Sequence, residues 1–169
     1  MNISEQYKIE TERISEILIR IDKIDFDYVN TLTDEMNQYQ PFLISILLGY
    51  RFDLKPEEVE EIIKIFFIIW EYFRENNNIR NEKLTEQQFE RLEKRNIGLL
   101  KYLEGESDPD ERLDITSIDL QHLESKAFLT GIFYRFNTRE PLLKMDGKTR
   151  GTLLIGMKSL IECFEEIKK

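Results

Sequence analysis

Apolar residues recur along most of the chain at intervals of three and four, the spacing typical of amphipathic helices. The pattern is clearest over residues 56–75, where eight apolar side chains fall within one arc of about 160° around the helix axis. Glutamate and lysine occupy most of the opposite face, which only Ile68 interrupts. Pro56 followed by two glutamates is typical of a helix start. We therefore predict a central helix over 56–75 whose wide apolar face is covered by neighbouring helices.

Weaker patterns of the same kind predict the other helices. They are expected over residues 4–24, 25–39, 41–49, 85–105 and 117–137, with a last helix that begins at Asp146 or Gly147. The polar stretch 104–114 is typical of a surface loop. No alternating strand pattern and no internal repeat is found. We predict an all-α fold, a single irregular bundle of about six or seven helices around the 56–75 helix, with residues 1–169 as one helical domain.

The composition agrees with a folded helical domain. Hydrophobic residues make up 41% of the chain, too many for a disordered protein. Cys163 is the only cysteine, which excludes an intrachain disulfide and any multi-cysteine metal site. The N-terminal sequence lacks the regions of a signal peptide, and the apolar runs are shorter than the roughly 18 residues of a membrane span. We expect a soluble, cytoplasmic protein with no membrane segment.

Charge is distributed unevenly along the chain. The net charge is -9, but it divides into -13 over residues 1–125, +5 over residues 126–158 and -1 over residues 159–169. A net anion repels the phosphate backbone, which disfavours nucleic acid as a partner. The local excess of basic residues still permits a smaller site for a protein partner or an anion.

Aromatic and basic residues alternate within the basic segment. Tyr134, Arg135 and Arg139 are of the types that dominate binding energy at protein interfaces, and we name them as candidate contacts for a partner or an anion. The alternative is that the neighbouring phenylalanines belong to the core and that the basic groups pair with the acidic N-terminal helices.

Lys148 and Arg150 stand at the start of the last helix. The residues 147–149, Gly-Lys-Thr, resemble the end of a phosphate-binding loop, but Leu142 occupies the position of its first glycine. Helix amides with two basic neighbours could still bind a phosphate or carboxylate, so both residues are named as candidate anion contacts. The alternative is that an acidic neighbour neutralises them.

His122 is the only histidine, which excludes a metal site with two histidines. It is predicted on the apolar side of its helix, three residues after Asp119, and we name it as a candidate pocket residue. A buried histidine held by a hydrogen bond is the alternative. Glutamates around Cys163 disfavour a reactive thiolate. No catalytic, cofactor or metal motif is found, so we predict no cofactor and no bound metal.

These observations favour a non-enzymatic protein-interaction or regulatory module that binds another protein, although they leave weak catalysis open. The second hypothesis is a bundle that binds a small molecule or anion, with weak hydrolase activity, through His122, Tyr134, Lys148 and Arg150. It requires these groups to meet in one pocket. A third hypothesis is a homodimer through the apolar seam of the last helix, where glycines would permit close approach.

Overall fold

The computed structural model describes residues 5–169, without the side chain of Gln6. Over these residues it contains ten α-helices and no strand, which confirms the all-α prediction. The helices are α1 (Glu5–Asp22), α2 (Phe26–Tyr39), α3 (Pro41–Tyr50), α4 (Pro56–Phe73), α5 (Asn77–Asn81), α6 (Glu86–Gly105), α7 (Pro109–Gln121), α8 (Lys126–Thr138), α9 (Glu140–Leu143) and α10 (Gly147–Lys168), with a 3-10 turn at Arg51–Asp53.

Helix α4 lies at the centre, in agreement with the prediction for residues 56–75. Eleven of its 18 residues are buried, and it packs against α1, α2, α3 and α9. Glu58 closes its N-terminus by accepting a hydrogen bond of 2.8 Å from the amide of Lys55. This bond satisfies a backbone donor that a helix start otherwise leaves unpaired.

The polar face of α4 is only partly solvated, since Glu57 and Glu60 are exposed and other glutamates are not. Glu58, Glu61 and Glu71 are buried, and so is Ile68. The Glu71 carboxylate lies 3.2 Å from the Arg20 guanidinium, and it accepts a hydrogen bond from the hydroxyl of Tyr28 on α2. The buried part of this face is therefore covered by neighbouring helices, with Glu71 paired from α1 and α2 and Glu61 paired with Arg135 of α8.

Helix α10 is a second centre that the sequence pattern did not single out. Eleven of its 22 residues are buried, against α5, α6 and α8. The rings of Phe164 and Phe73 stack with their centroids 5.0 Å apart, which joins α10 to α4. Asn96 of α6 donates to Glu162 over 2.7 Å and to Ser159 over 3.0 Å. These bonds hold α6 against α10.

The region 104–125 differs most from its prediction. The expected loop is largely helix α7, because Asp108 accepts a hydrogen bond from the amide of Asp110 and Pro109 fits the first helical turn. The helix expected over 117–137 is interrupted before α8. Glu165 of α10 accepts hydrogen bonds from the amides of Glu124 and Ser125 and so fixes the start of α8. With the short α5 and α9, this break raises the number of helices above six or seven.

Among the residues that the structure describes, no helix is both long enough and apolar enough to cross a membrane.

Candidate functional site

The basic and aromatic segment of α8 is only partly at the surface. Tyr134 is 64% exposed, but Arg135 is 2% exposed. The Arg135 guanidinium lies 2.9 Å from Asp22 and 2.8 Å from Glu61, and Arg139 also pairs with Asp22. Both arginines therefore bind the acidic N-terminal half of the chain, as the alternative interpretation had it. We leave Arg135 out of any partner surface because partners cannot reach it.

The start of α10 is already occupied by a carboxylate of the chain itself. Asp146 accepts hydrogen bonds from the amides of Lys148 (3.1 Å) and Thr149 (3.0 Å). Hydrogen bonds from Thr149, and after them the bond from Lys148, hold the pKa of Asp146 below its usual value. Arg150 donates to Asn137 over 2.7 Å. An external anion would have to compete with Asp146 for these amides.

His122 ends α7 and is exposed, rather than turned toward the core. It lines a depression of about 160 Å³ with Arg95 and Asp119, whereas Lys148 lines a different depression of about 310 Å³. Asp119 is bound by Lys158 at 3.1 Å and by Arg95 at 3.6 Å. Two of the groups that the small-molecule hypothesis needs in one pocket, His122 and Lys148, thus line different depressions. No cluster of metal-ligating residues occurs within 5–169.

The thiol and the apolar seam of α10 are both inside the bundle. Cys163 is fully buried, and burial raises the pKa of its thiol to about 12, with Glu166 adding to the shift. Leu153, Met157 and Leu160, which form part of the seam proposed for a homodimer, are buried in the same core. A second copy could reach this seam only if the helices that cover it moved away.

A surface that sequence reasoning did not identify lies between α3 and α6. It is a groove of about 350 Å³, here called the α3–α6 groove. Its lining consists of Phe42, Ile46, Gly49 and Tyr50 of α3 with Glu86, Phe89, Glu90 and Glu93 of α6. The rings of Phe42 and Phe89 meet edge to face at the floor, with their centroids 6.0 Å apart. The floor is therefore mainly aromatic and aliphatic.

Three carboxylates form one edge of this groove. Glu86, Glu90 and Glu93, the carboxylate rim, share one side of α6, and none forms an ion pair with a residue that the structure describes. Burial raises the pKa of Glu93, and the like charge of Glu90 raises it further. The rim is thus a set of uncompensated negative charges next to an apolar floor.

The apolar surface continues beyond the groove along α6. Ile97 is 37% exposed and Leu100 is 41% exposed. At 100° per residue, Phe89, the carboxylate rim and these two residues fall within an arc of about 100°, and the stripe from Glu86 to Leu100 is about 21 Å long. Its length corresponds to about four helical turns.

Two features of the sequence carry a signal for this groove. Residues 41–50 contain no charged side chain, although only Leu43 and Ile46 of α3 are buried. Three of the acidic residues of α6 recur on one side of it, at spacings of four and three. Neither feature reveals which helix packs beside which, so neither predicts a groove without the tertiary structure.

Comparisons of the chain with models of protein families, with curated proteins and with solved structures gave no match.

Proposed function

We propose that the chain is a non-enzymatic, cytoplasmic interaction module that binds another protein through the α3–α6 groove. The observation that carries this proposal is a groove with an apolar floor, together with two exposed apolar residues, Ile97 and Leu100, further along the same stripe of α6. Folded proteins rarely leave contiguous apolar surface open unless it binds something. A groove between two helices is also a common receptor for a helix from a partner.

The arrangement of reactive side chains supports binding over catalysis. General acid–base or nucleophilic chemistry requires groups within hydrogen-bond reach of one another. His122 and Lys148 line different depressions, and the Cys163 thiol is buried. The groove itself holds carboxylates and aromatic rings, which are suited to recognition.

The proposal is tested by placing a charge on the apolar stripe. Ile97→Glu should abolish binding to a partner, because it would bury an unpaired carboxylate in the interface. Ile19→Glu is the matched control, since Ile19 is an isoleucine on α1 with 56% exposure. The two variants and the wild-type protein are immobilised, and the proteins each retains from the native lysate are quantified by mass spectrometry.

We expect at least one protein that wild type and the Ile19→Glu control retain in near-equal amounts and that the Ile97→Glu variant loses. Identical sets of proteins on all three supports would contradict the proposal, as would the absence of any retained protein. Circular dichroism and thermal unfolding of each variant verify that both substitutions leave the fold intact.

A further inference from the structure

We infer that the partner presents a basic amphipathic helix to the α3–α6 groove, an inference that rests on the proposed function. The groove requires two properties of its occupant. The floor requires large apolar side chains, and the carboxylate rim requires positively charged side chains beside them.

The apolar requirement follows from the shape and length of the surface. Phe42, Ile46 and Phe89 form a floor between two helices, and Ile97 and Leu100 extend it along α6. A helix laid into such a groove contacts it with side chains at positions i, i+3, i+4 and i+7. The length of about 21 Å accommodates about 14 residues of that helix.

The charge requirement follows from the one-sided distribution of ionised groups. The facing α3 has no charged residue, whereas Glu86, Glu90 and Glu93 have no ion-pair partner on the described chain. Lys94 follows Glu90 by one turn of α6, about 40° further round the helix axis, but the two side chains form no ion pair in the structure. A lysine or arginine of the partner that lies over the rim would gain hydrogen bonds to these carboxylates.

Partial burial makes Glu93 a stronger recognition element than Glu86 and Glu90, which are exposed. Glu93 is half-buried, and its raised pKa reports that its charge is under-stabilised in the free protein. A cation that docks beside it restores that stabilisation. The rim therefore discriminates by charge, because an acidic or neutral helix would leave Glu93 without a partner.

A second copy of the chain and an anionic lipid surface both match the negative charges of the carboxylate rim less well than a basic helix does. A second copy of the chain in a symmetric contact would bring the same acidic rim toward it, and its net charge of -9 would add repulsion. Anionic lipid headgroups would meet three carboxylates at the edge of the apolar floor. A basic helix from another protein matches both the floor and the rim.

The test uses a fluorescein-labelled peptide of about 18 residues, with leucines at i, i+3, i+4 and i+7 and lysines on its remaining positions. Binding to the full chain is followed by fluorescence anisotropy at physiological salt. A second peptide replaces every lysine with glutamate, and a third has the composition of the first in an order without an apolar face. We expect saturable binding of the first peptide, and binding at least about tenfold weaker for the other two.

Two matched variants separate the rim from general attraction to an acidic protein. In the rim variant, Glu86→Gln, Glu90→Gln and Glu93→Gln are combined. In the control variant, Glu5→Gln, Glu12→Gln and Glu16→Gln are combined on α1, where all three residues are exposed. Both variants remove the same amount of negative charge. Nonspecific electrostatic attraction between the peptide and the whole protein therefore decreases equally in both.

We expect the rim variant to lose about tenfold in affinity for the lysine peptide relative to the control variant. Equal losses in both variants would overturn the inference, because they would show attraction to the whole protein. Equal binding of the glutamate and lysine peptides would overturn it as well. If neither peptide binds while capture from lysate still depends on Ile97, the inference fails and the proposed function stands.

Discussion

Gln40 illustrates how one buried side chain fixes the course of a distant backbone segment. It is fully buried at the junction of α2 and α3. Its amide nitrogen donates to the carbonyl oxygens of Ile79 and Glu82, and its oxygen accepts from the amide of Leu84 at 2.8 Å. These backbone groups lie in α5 and in the segment that connects it to α6, and buried backbone groups of this kind need hydrogen-bond partners. The side chain thereby connects the groove's first helix to the segment that leads into its second.

Arg135 is a second buried side chain that connects distant segments, in this case through ion pairs. It is buried between Asp22 of α1 and Glu61 of α4, whereas Arg139 binds Asp22 at the surface. Without Arg135, the buried carboxylate of Glu61 would lose its nearest partner and keep only Lys64 at 3.5 Å, and this is the costly step. We predict that Arg135→Ala lowers the free energy of unfolding by about 3–5 kcal/mol.

Arg139→Ala is the matched comparison, because this residue is partly exposed and pairs with the same aspartate. Arg139→Ala should lower the free energy of unfolding by less than about 1 kcal/mol, because exposed ion pairs usually contribute no more than that. Urea denaturation of both variants measures the difference. Similar costs for the two substitutions would contradict the interpretation of Arg135 as a buried structural residue.

At the scale of the elements, the packing of α3 against α10 depends on a glycine. A Cβ atom added at Gly156 would overlap the Tyr50 hydroxyl, whereas one added at Gly151 would meet nothing within 4 Å. The Tyr50 hydroxyl is buried and has no hydrogen-bond partner within the described residues. Burial raises the pKa of Tyr50, and the negative charge of Glu93 adds to the effect. The close approach at Gly156 therefore positions one wall of the α3–α6 groove.

We predict opposite effects for alanine at these two glycines of α10. Gly156→Ala should lower the free energy of unfolding by about 1–3 kcal/mol, because Tyr50 must move. Gly151→Ala should raise it by roughly 0.5–1 kcal/mol, because alanine favours the helix and the site is open.

Tyr50→Phe tests whether the Tyr50 hydroxyl is the cause of the destabilisation expected for Gly156→Ala. It should be close to neutral by itself, since the hydroxyl makes no hydrogen bond. Combined with Gly156→Ala, it should recover part of the lost stability in a double-mutant cycle. Strict additivity of the two substitutions would show that the hydroxyl is not the obstacle.

At the scale of the whole molecule, burial is concentrated in α4 and α10 and is lowest in α7. None of the 13 residues of α7 is buried. Polar contacts attach it to α6, with Tyr102 donating to Glu111 over 3.3 Å and Arg95 lying 3.6 Å from Asp119. Isolated helices of this length are marginal in water. Local unfolding of α7 should therefore require less free energy than unfolding of the core helices.

We predict that trypsin cleaves the native chain first after Arg112, the exposed basic residue of α7. Lys64 and Lys158, which lie on the two central helices, should be cleaved only after global unfolding. Brief digestion followed by mass spectrometry of intact fragments checks this order. The same experiment tests the prediction of one domain over residues 1–169, since a first cut that releases two separately stable halves would contradict it.

Much of the architecture is encoded locally. The central helix and the predicted starts of α6 near residue 85 and of α10 near Asp146 agree with the structure, because apolar periodicity and end signals act within a few residues. The start of α7 at Asp108–Pro109 carries the same type of signal, which its polar surroundings obscured. The break before α8 does not, because the carboxylate that fixes it comes from Glu165, about 40 residues away.

The sequence by itself determined the helical class, the central 56–75 helix and the uneven charge. Only the tertiary structure decided which faces stay open. Phe89 and Ile97 both belong to one stripe of α6, yet Phe89 is 7% exposed and Ile97 is 37% exposed. Arg135 likewise resembled a surface arginine until Asp22, 113 residues earlier, was seen beside it. Periodicity records that a face is apolar, whereas its burial depends on a neighbour that may be far away along the chain.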